Sequence, residues 1–111
     1  MAPRSVRCPV VDASVTRAPE EERYEARLGD ELAGFAVYRE RPGLIAFMHT
    51  EVDPRFEGRG IGGRLVAGAL EDARTCGLAV LPFCPFVNGY IQRHRELVDL
   101  VPEPYRAQFG L

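Results

Sequence analysis

The stretch Val52-Asp53-Pro54-Arg55-Phe56-Glu57-Gly58-Arg59-Gly60-Ile61-Gly62-Gly63-Arg64-Leu65 constrains this chain more than any other. Before it, Leu44 to Val52 is an apolar run of strand length, ended by Asp53-Pro54. After it, Ile61, Leu65, Ala69 and Ala73 recur every four positions with Val66 and Leu70 beside them, the period of a helix. Cys76-Gly77 stops that helix, glycine being the usual residue beyond a helix end. The local order is therefore strand, glycine-rich loop, helix. The first N–H groups of a helix lack internal partners, and the helix dipole is positive there. Glycines let a ligand approach the backbone, because no Cβ intervenes. Such a junction suits a pyrophosphate. The plain alternative is a structural glycine turn that starts a helix.

Two nucleotide readings fail. A phosphate loop for nucleoside triphosphates ends in Gly-Lys-Ser/Thr, and the chain has no lysine. The spacing Gly58-x-Gly60-x-x-Gly63 matches a dinucleotide fingerprint in letters, but that fingerprint opens a first βαβ unit and needs an acid at the end of the next strand. Here the next strand ends at Leu81-Pro82-Phe83 without one, and the remaining chain is too short for a doubly wound sheet.

The segments around the loop complete a layered fold. Tyr24, Ala26 and Leu28 alternate with Glu25 and Arg27, as in a half-buried strand. Gly29-Asp30 turns the chain into a second strand, Leu32 to Tyr38, making a hairpin. Arg41-Pro42-Gly43 is the next turn, and Leu44 to Val52 is the third, central strand. Leu78 to Leu81 is a short apolar strand closed by Pro82. Phe86 to Arg95 fits a helix with Phe86, Tyr90, Ile91 and His94 on one side. We expect residues 1–20 to form an arm with an edge strand near Val6 to Thr16, residues 21–104 the domain, and residues 105–111 a docked tail. The fold class is α/β (α+β).

Composition narrows the function. A net charge of −2 gives no basic excess for general nucleic-acid binding. All 14 basic residues are arginine, which reads as composition bias. Cys8, Cys76 and Cys84 are odd in number and irregularly spaced, and His49 and His94 complete no metal-ligand spacing with them, so neither a disulfide framework nor a metal is expected. No apolar run reaches membrane-spanning length, and the first residues lack the apolar stretch of a signal peptide. A cytoplasmic location follows as the expectation.

Three stretches in order carry a resemblance. They are Phe47-Met48-His49-Thr50-Glu51-Val52, the glycine loop, and Val80-Leu81-Pro82-Phe83-Cys84-Pro85-Phe86-Val87 with Tyr90-Ile91-x-x-His94. Together, over about Tyr24 to Val101, they resemble the short, minimal members of the GCN5-related N-acetyltransferase superfamily. The superfamily's loop pattern is Arg/Gln-x-x-Gly-x-Gly/Ala, and this chain has Glu57 at the Arg/Gln position. Arg55, two positions earlier, is an alternative source of positive charge. The resemblance implies a truncated acetyltransferase fold: a mixed, mostly antiparallel sheet, splayed at the coenzyme A site and packed by two main helices. It implies acetyl-coenzyme A as cofactor, with the backbone of Val52 pairing with the pantetheine arm. Gly58 and the run Arg59, Gly60, Ile61, Gly62 and Gly63 would hold the pyrophosphate.

Transfer of an acetyl group to an amine needs a deprotonated nucleophile and a proton for the departing thiolate, or else a covalent acetyl-cysteine. Cys84 lies just past a strand end, where the resembling family carries a cysteine; the plain alternative is a small buried hydrophobe. His49 and Glu51, two apart on a strand, face one side as a base and its orienting partner, or else as a structural pair. Thr50 and Val52 face the other side. Tyr90 falls where many acetyltransferases place a tyrosine that protonates the thiolate; core packing is the alternative. The expected activity is acetyl-coenzyme A-dependent N-acetylation of an amine, small molecule or peptide, by a monomer or weak dimer that engages neither nucleic acid nor membrane. A non-catalytic coenzyme A-binding accessory module is the runner-up, and a purely structural interaction domain the third reading.

Overall fold

Turn glycines set the strand boundaries. In the computed structural model, which describes residues 14–111, Gly29 and Gly43 take positive φ angles of 62° and 74°. Glycine adopts that region without the steric cost other residues meet. The first turn joins β2 (Arg23–Leu28) to β3 (Glu31–Arg41), and the second joins β3 to β4 (Leu44–Val52). With β1 (Ser14–Ala18) before them and β5 (Ala79–Pro82) after, they form one sheet in the order β1-β2-β3-β4-β5. The first four strands run antiparallel, and β5 lies parallel to β4. A parallel pair needs a long crossover, which here is helix α1 (Ile61–Thr75). This is the mixed α+β architecture read from the sequence.

The second strand is longer than Leu32 to Tyr38. Glu31 pairs with Leu28, and Arg39 and Arg41 pair with Ala46 and Leu44. Ladder bonds extend a strand without requiring burial, so a hydropathy pattern stops short of the true ends. Of the expected arm strand, Ser14 to Thr16 fall in β1; the earlier part, with Cys8, lies outside the described residues.

The core is one layer between sheet and helix. Tyr24, Ala26, Ala36, Tyr38, Ile45, Phe47 and Val80 are buried on the strands. On α1 the buried residues are Ile61, Gly62, Leu65, Val66, Ala69, Leu70 and Ala73, the four-residue period of the sequence. Tyr24, Tyr38 and Phe47 pack ring on ring, the first two 5.3 Å apart between centroids.

Helix α2 (Pro85–Arg93) buries Val87 and Ile91 rather than the whole expected set of Phe86, Tyr90, Ile91 and His94. Residues four apart share a face, and the face of Val87 and Ile91 takes the core. Phe86 and Tyr90 fall beside it and meet the start of α1 instead. A Cβ on Gly62 would lie 2.5 Å from Phe86 Cζ, and one on Gly63 4.0 Å from Tyr90 Cε2. After a 3₁₀ stretch (Arg95–Leu100), the short helix α3 (Glu103–Arg106) and a last turn (Ala107–Phe109) return along α2. There the side-chain amides of Asn88 and Gln92 donate to the Phe109 carbonyl at 3.0 and 3.2 Å.

Candidate functional site

Strands β4 and β5 part company half-way along β4. They pair only from Leu44↔Ala79 to Phe47↔Pro82, whereas β4 stays paired with β3 as far as Val52↔Gly34. The Cys84 N–H donates to the Phe47 carbonyl at 2.8 Å just beyond the last paired residues. Among the described residues, Met48 to Val52 therefore present one strand edge without a strand partner. A β-bulge falls at the same place: Tyr38 pairs with Phe47 and Val37 with His49, leaving Met48 as the extra residue. The bulge inverts the alternation. Ile45 and Phe47 are buried under α1 before it, and after it Thr50 and Val52 turn inward while His49 and Glu51 turn outward.

The glycine loop fills the other end of this opening. Asp53 caps the 3₁₀ turn Pro54–Phe56 by accepting the Arg55 N–H at 2.9 Å, and buried Phe56 anchors the turn. Gly58 and Gly60 take φ angles of 85° and 75°, and a Cβ at either would meet nothing within 4 Å. Among the described residues, the backbone N–H groups of Gly58 to Gly63 find no carbonyl or side-chain acceptor. A groove of about 290 Å³ runs past them, lined by Val52, Phe56, Glu57, Gly58, Gly60 to Gly63 and Phe86. Free donors facing open space fit a diphosphate. Six of the seven residues expected at the cofactor thus line one groove. Arg59 stands beside it, its guanidinium over the Phe56 ring at 5.6 Å. Arg55 forks onto Asp53, with Nη2 to Oδ2 at 3.0 Å, and lies 3.7 Å from Glu31. Its hydrogen bonds hold the Asp53 carboxyl below the ordinary range. Arg55, the alternative source of charge for the loop, is thus paired with carboxylates in this structure.

The four expected catalytic residues do not converge. Cys84 is 2% exposed, at the N-cap of α2, with its Sγ 3.2 Å from Thr50 Oγ1. His49 Nε2 and Glu51 Oε2 are 2.9 Å apart, as their strand spacing implies, but the pair is more than half exposed on the outer face. Phe35 flanks it, 6.5 Å from the His49 ring. Tyr90 stacks on His94 at 4.1 Å, and the His94 Nδ1 lies 2.9 Å from the Tyr90 carbonyl. Burial, then the Glu96 carboxylate, pushes the Tyr90 phenol above its ordinary value of 10, so it holds its proton near neutral pH. Two residues outside the expected catalytic and cofactor sets also stand at the site: Thr50, whose Oγ1 meets the Cys84 thiol, and Phe86, whose ring tip packs over Gly62.

Residues 23–100 match the sequence family described as GCN5-related N-acetyl-transferase. The match covers most of the chain. This chain belongs to the GCN5-related N-acetyltransferases. No curated protein matches it. The three resembling stretches, the splayed strands and the free loop donors all lie inside the matched segment. Membership in this acetyltransferase family supports acyltransferase chemistry in general, and such proteins typically use acetyl-coenzyme A. Among the described residues no cluster of three or more His, Cys, Asp or Glu is arranged to hold a metal ion, and no helix is long and apolar enough to cross a membrane.

Proposed function

We propose that this protein is an acetyl-coenzyme A-dependent N-acetyltransferase acting on an amine, either a small molecule or a peptide. The observation that carries the reading is the wedge between β4 and β5, whose open strand edge leads to the groove of unpaired loop donors. Acetyl-coenzyme A, when bound, supplies the acyl group as an activated thioester. Val52 would pair through its backbone with the pantetheine arm, and Gly58 to Gly63 would hold the pyrophosphate through N–H groups. Met48 and Phe83, both exposed, flank the mouth of the wedge. In this reading His49, on the outer face, would take a proton from an arriving amine, and Glu51, 2.9 Å away, would fix its ring. The Tyr90 phenol would protonate the departing thiolate, although its upward shift makes it a weaker acid than a free phenol.

One observation favours the second reading, a non-catalytic coenzyme A-binding module. Cys84 is enclosed with Thr50, while His49 and Glu51 lie on the opposite face, so no thiol–base pair is assembled. Two measurements separate the readings. Coenzyme A at saturation should raise the melting temperature through linkage, and no rise would sink both. Acetyl transfer to a panel of amines and peptides should appear with the first reading. Binding without any transfer leaves the accessory module.

A further inference from the structure

A second recess opens between β3 and β4, apart from the loop groove. Its volume is about 210 Å³, and Leu32, Gly34 and Phe35 of β3 meet Glu51, Val52 and Asp53 around it. Val52 also lines the loop groove, so the recess ends where that groove begins. Gly34 adds only backbone: a Cβ there would lie 2.8 Å from the Glu51 carbonyl oxygen. Phe35 forms an aromatic wall that is already held in place. Arg23 Cζ lies 4.7 Å from its ring centroid, and Arg23 is in turn bonded to Glu25, which is 8% exposed. A wall fixed before the ligand arrives costs little to order on binding. The ladder pairs Phe35 with Glu51 and Val37 with His49, so the Phe35 ring stands beside the His49–Glu51 pair, 6.5 Å from the imidazole. Charge gives the recess a direction. None of its lining residues is basic. Asp53 is paired with Arg55, whereas Glu51, among the described residues, meets His49 and no arginine. One end is therefore apolar, at Leu32 and Phe35, and the Glu51 end attracts a cation.

We propose that this recess seats the acceptor, and that the acceptor is a small amine carried on one apolar ring. This rests on the N-acetyltransferase reading above and narrows its substrate class. A cavity of roughly 150 Å³ admits benzene, so the recess of about 210 Å³ takes one ring and a short linker. With the ring beside Phe35, the 6.5 Å to His49 is spanned by a linker of about two carbons ending in the nitrogen. Packing on Phe35 selects the ring, and Glu51 attracts the ammonium. The ammonium gives one proton to His49, its nitrogen bonds to the acetyl carbon, and the carbon–sulfur bond breaks. A second proton leaves the nitrogen and offsets the charge of the departing thiolate, so an amide and a free thiol result. A polyamine or an extended lysine peptide has no ring to seat and gains nothing from the recess.

The test is acetyl transfer to 2-phenylethylamine, ethylamine, spermidine and a lysine peptide by wild type, Phe35→Ala and Leu32→Trp. Wild type should favour 2-phenylethylamine over ethylamine by about tenfold or more in kcat/KM, as burial of one ring allows. Spermidine and the peptide should do no better than ethylamine. Phe35→Ala removes the wall and Leu32→Trp fills the recess, so each should bring the ratio near one, chiefly through KM. Neither residue lines the loop groove, so coenzyme A titration into the variants guards against misfolding. A second measurement needs no variant. Titrating 2-phenylethylamine into the coenzyme A-loaded wild type should shift the backbone amide resonances of residues 32–35 and 51–53 first. Shifts confined to other residues, or a preference that persists in both variants with coenzyme A bound normally, overturn the recess as the acceptor site. A wild-type ratio near one, or a preference for spermidine or the peptide, overturns the ring-bearing acceptor and leaves the N-acetyltransferase reading standing. Coenzyme A binding without transfer to any amine overturns that reading, and the acceptor role with it.

Discussion

At the scale of single residues, two glycines of α1 separate fold from function. Gly68 sits in mid-helix, where alanine ordinarily gains about 1 kcal/mol. Here a Cβ would lie 2.9 Å from Val15 Cβ and Cγ1 on β1. A β-branched side chain held in a strand yields little, so Gly68→Ala should destabilise by about 1–3 kcal/mol. Thermal melting checks it, and trimming the opposite side with Val15→Ala should recover part of the loss. A Gly68→Ala protein more stable than wild type would show that β1 does not pack there. Gly62 behaves differently. Its Cβ would meet the tip of Phe86, a side chain 42% exposed and free to swing. Gly62→Ala should therefore leave the melting temperature nearly unchanged or slightly raised. The displaced ring lines the loop groove, so coenzyme A binding should weaken severalfold. Calorimetric titration showing unaltered affinity would remove Phe86 from the cofactor site.

At the scale of elements, the outer face of the sheet carries its own charge logic. Arg23, Glu25 and Arg27 share one side of β2. Glu25 is 8% exposed, held by Arg23 Nη2 at 2.8 Å and Arg27 Nη2 at 3.0 Å. Burial pushes its carboxyl upward, but the two guanidiniums outweigh burial and hold it below the ordinary 4.5. A carboxyl depressed by folding contributes stability above its unfolded value and loses it as pH falls through its folded value. Glu25→Gln should thus cost on the order of 2 kcal/mol at pH 7, since it leaves two neighbouring cations uncompensated. The gap in melting temperature from wild type should shrink below about pH 4. A gap constant with pH would mean the ion pairs contribute nothing beyond packing. The elements themselves were legible in the sequence where periodicity is local. The four-residue rhythm of Ile61 to Ala73, the alternation of Tyr24 to Leu28 and the turn glycines each act over a few residues and mark α1, β2 and their ends. The bulge at Met48 was not legible. A bulge depends on a mismatch with β3 across the ladder, and composition carries no sign of it. The pairing of His49 with Glu51 followed from the two-residue repeat. The meeting of Thr50 with Cys84, 34 positions apart, depends on where β5 ends and α2 begins. That the Arg64 Nη1 meets no acceptor among the described residues was invisible for the same reason: enclosure is a property of the folded surroundings.

At the scale of the whole molecule, the family match stops at residues 23 and 100, yet packing continues at both ends. On one side, β1 lays Val15 on Gly68, and Arg17 bonds Glu40 and donates to the Tyr38 hydroxyl at 2.9 Å. Beside them the buried Tyr24 hydroxyl donates to Asp72 at 2.6 Å, and burial followed by that carboxylate raises the phenol strongly. On the other side, Val101 is fully buried, Phe109 packs edge-on against Phe83 at 5.3 Å, and its carbonyl takes the Asn88 and Gln92 amides. The loop groove touches neither end. Stability and ligand binding should accordingly separate on truncation. Removing residues 105–111 exposes Phe83 further and strips two side-chain amides of their acceptor, for a loss of about 2–4 kcal/mol. Coenzyme A affinity, measured at a temperature where the shortened chain is still folded, should stay within about threefold of the full chain. Phe83 also stands at the mouth of the wedge, so transfer to an amine should suffer more than cofactor binding. Truncation that abolishes coenzyme A binding in a folded protein would show that the tail reaches the loop groove. Truncation that leaves stability untouched would show that Phe109 does not hold α2 in place.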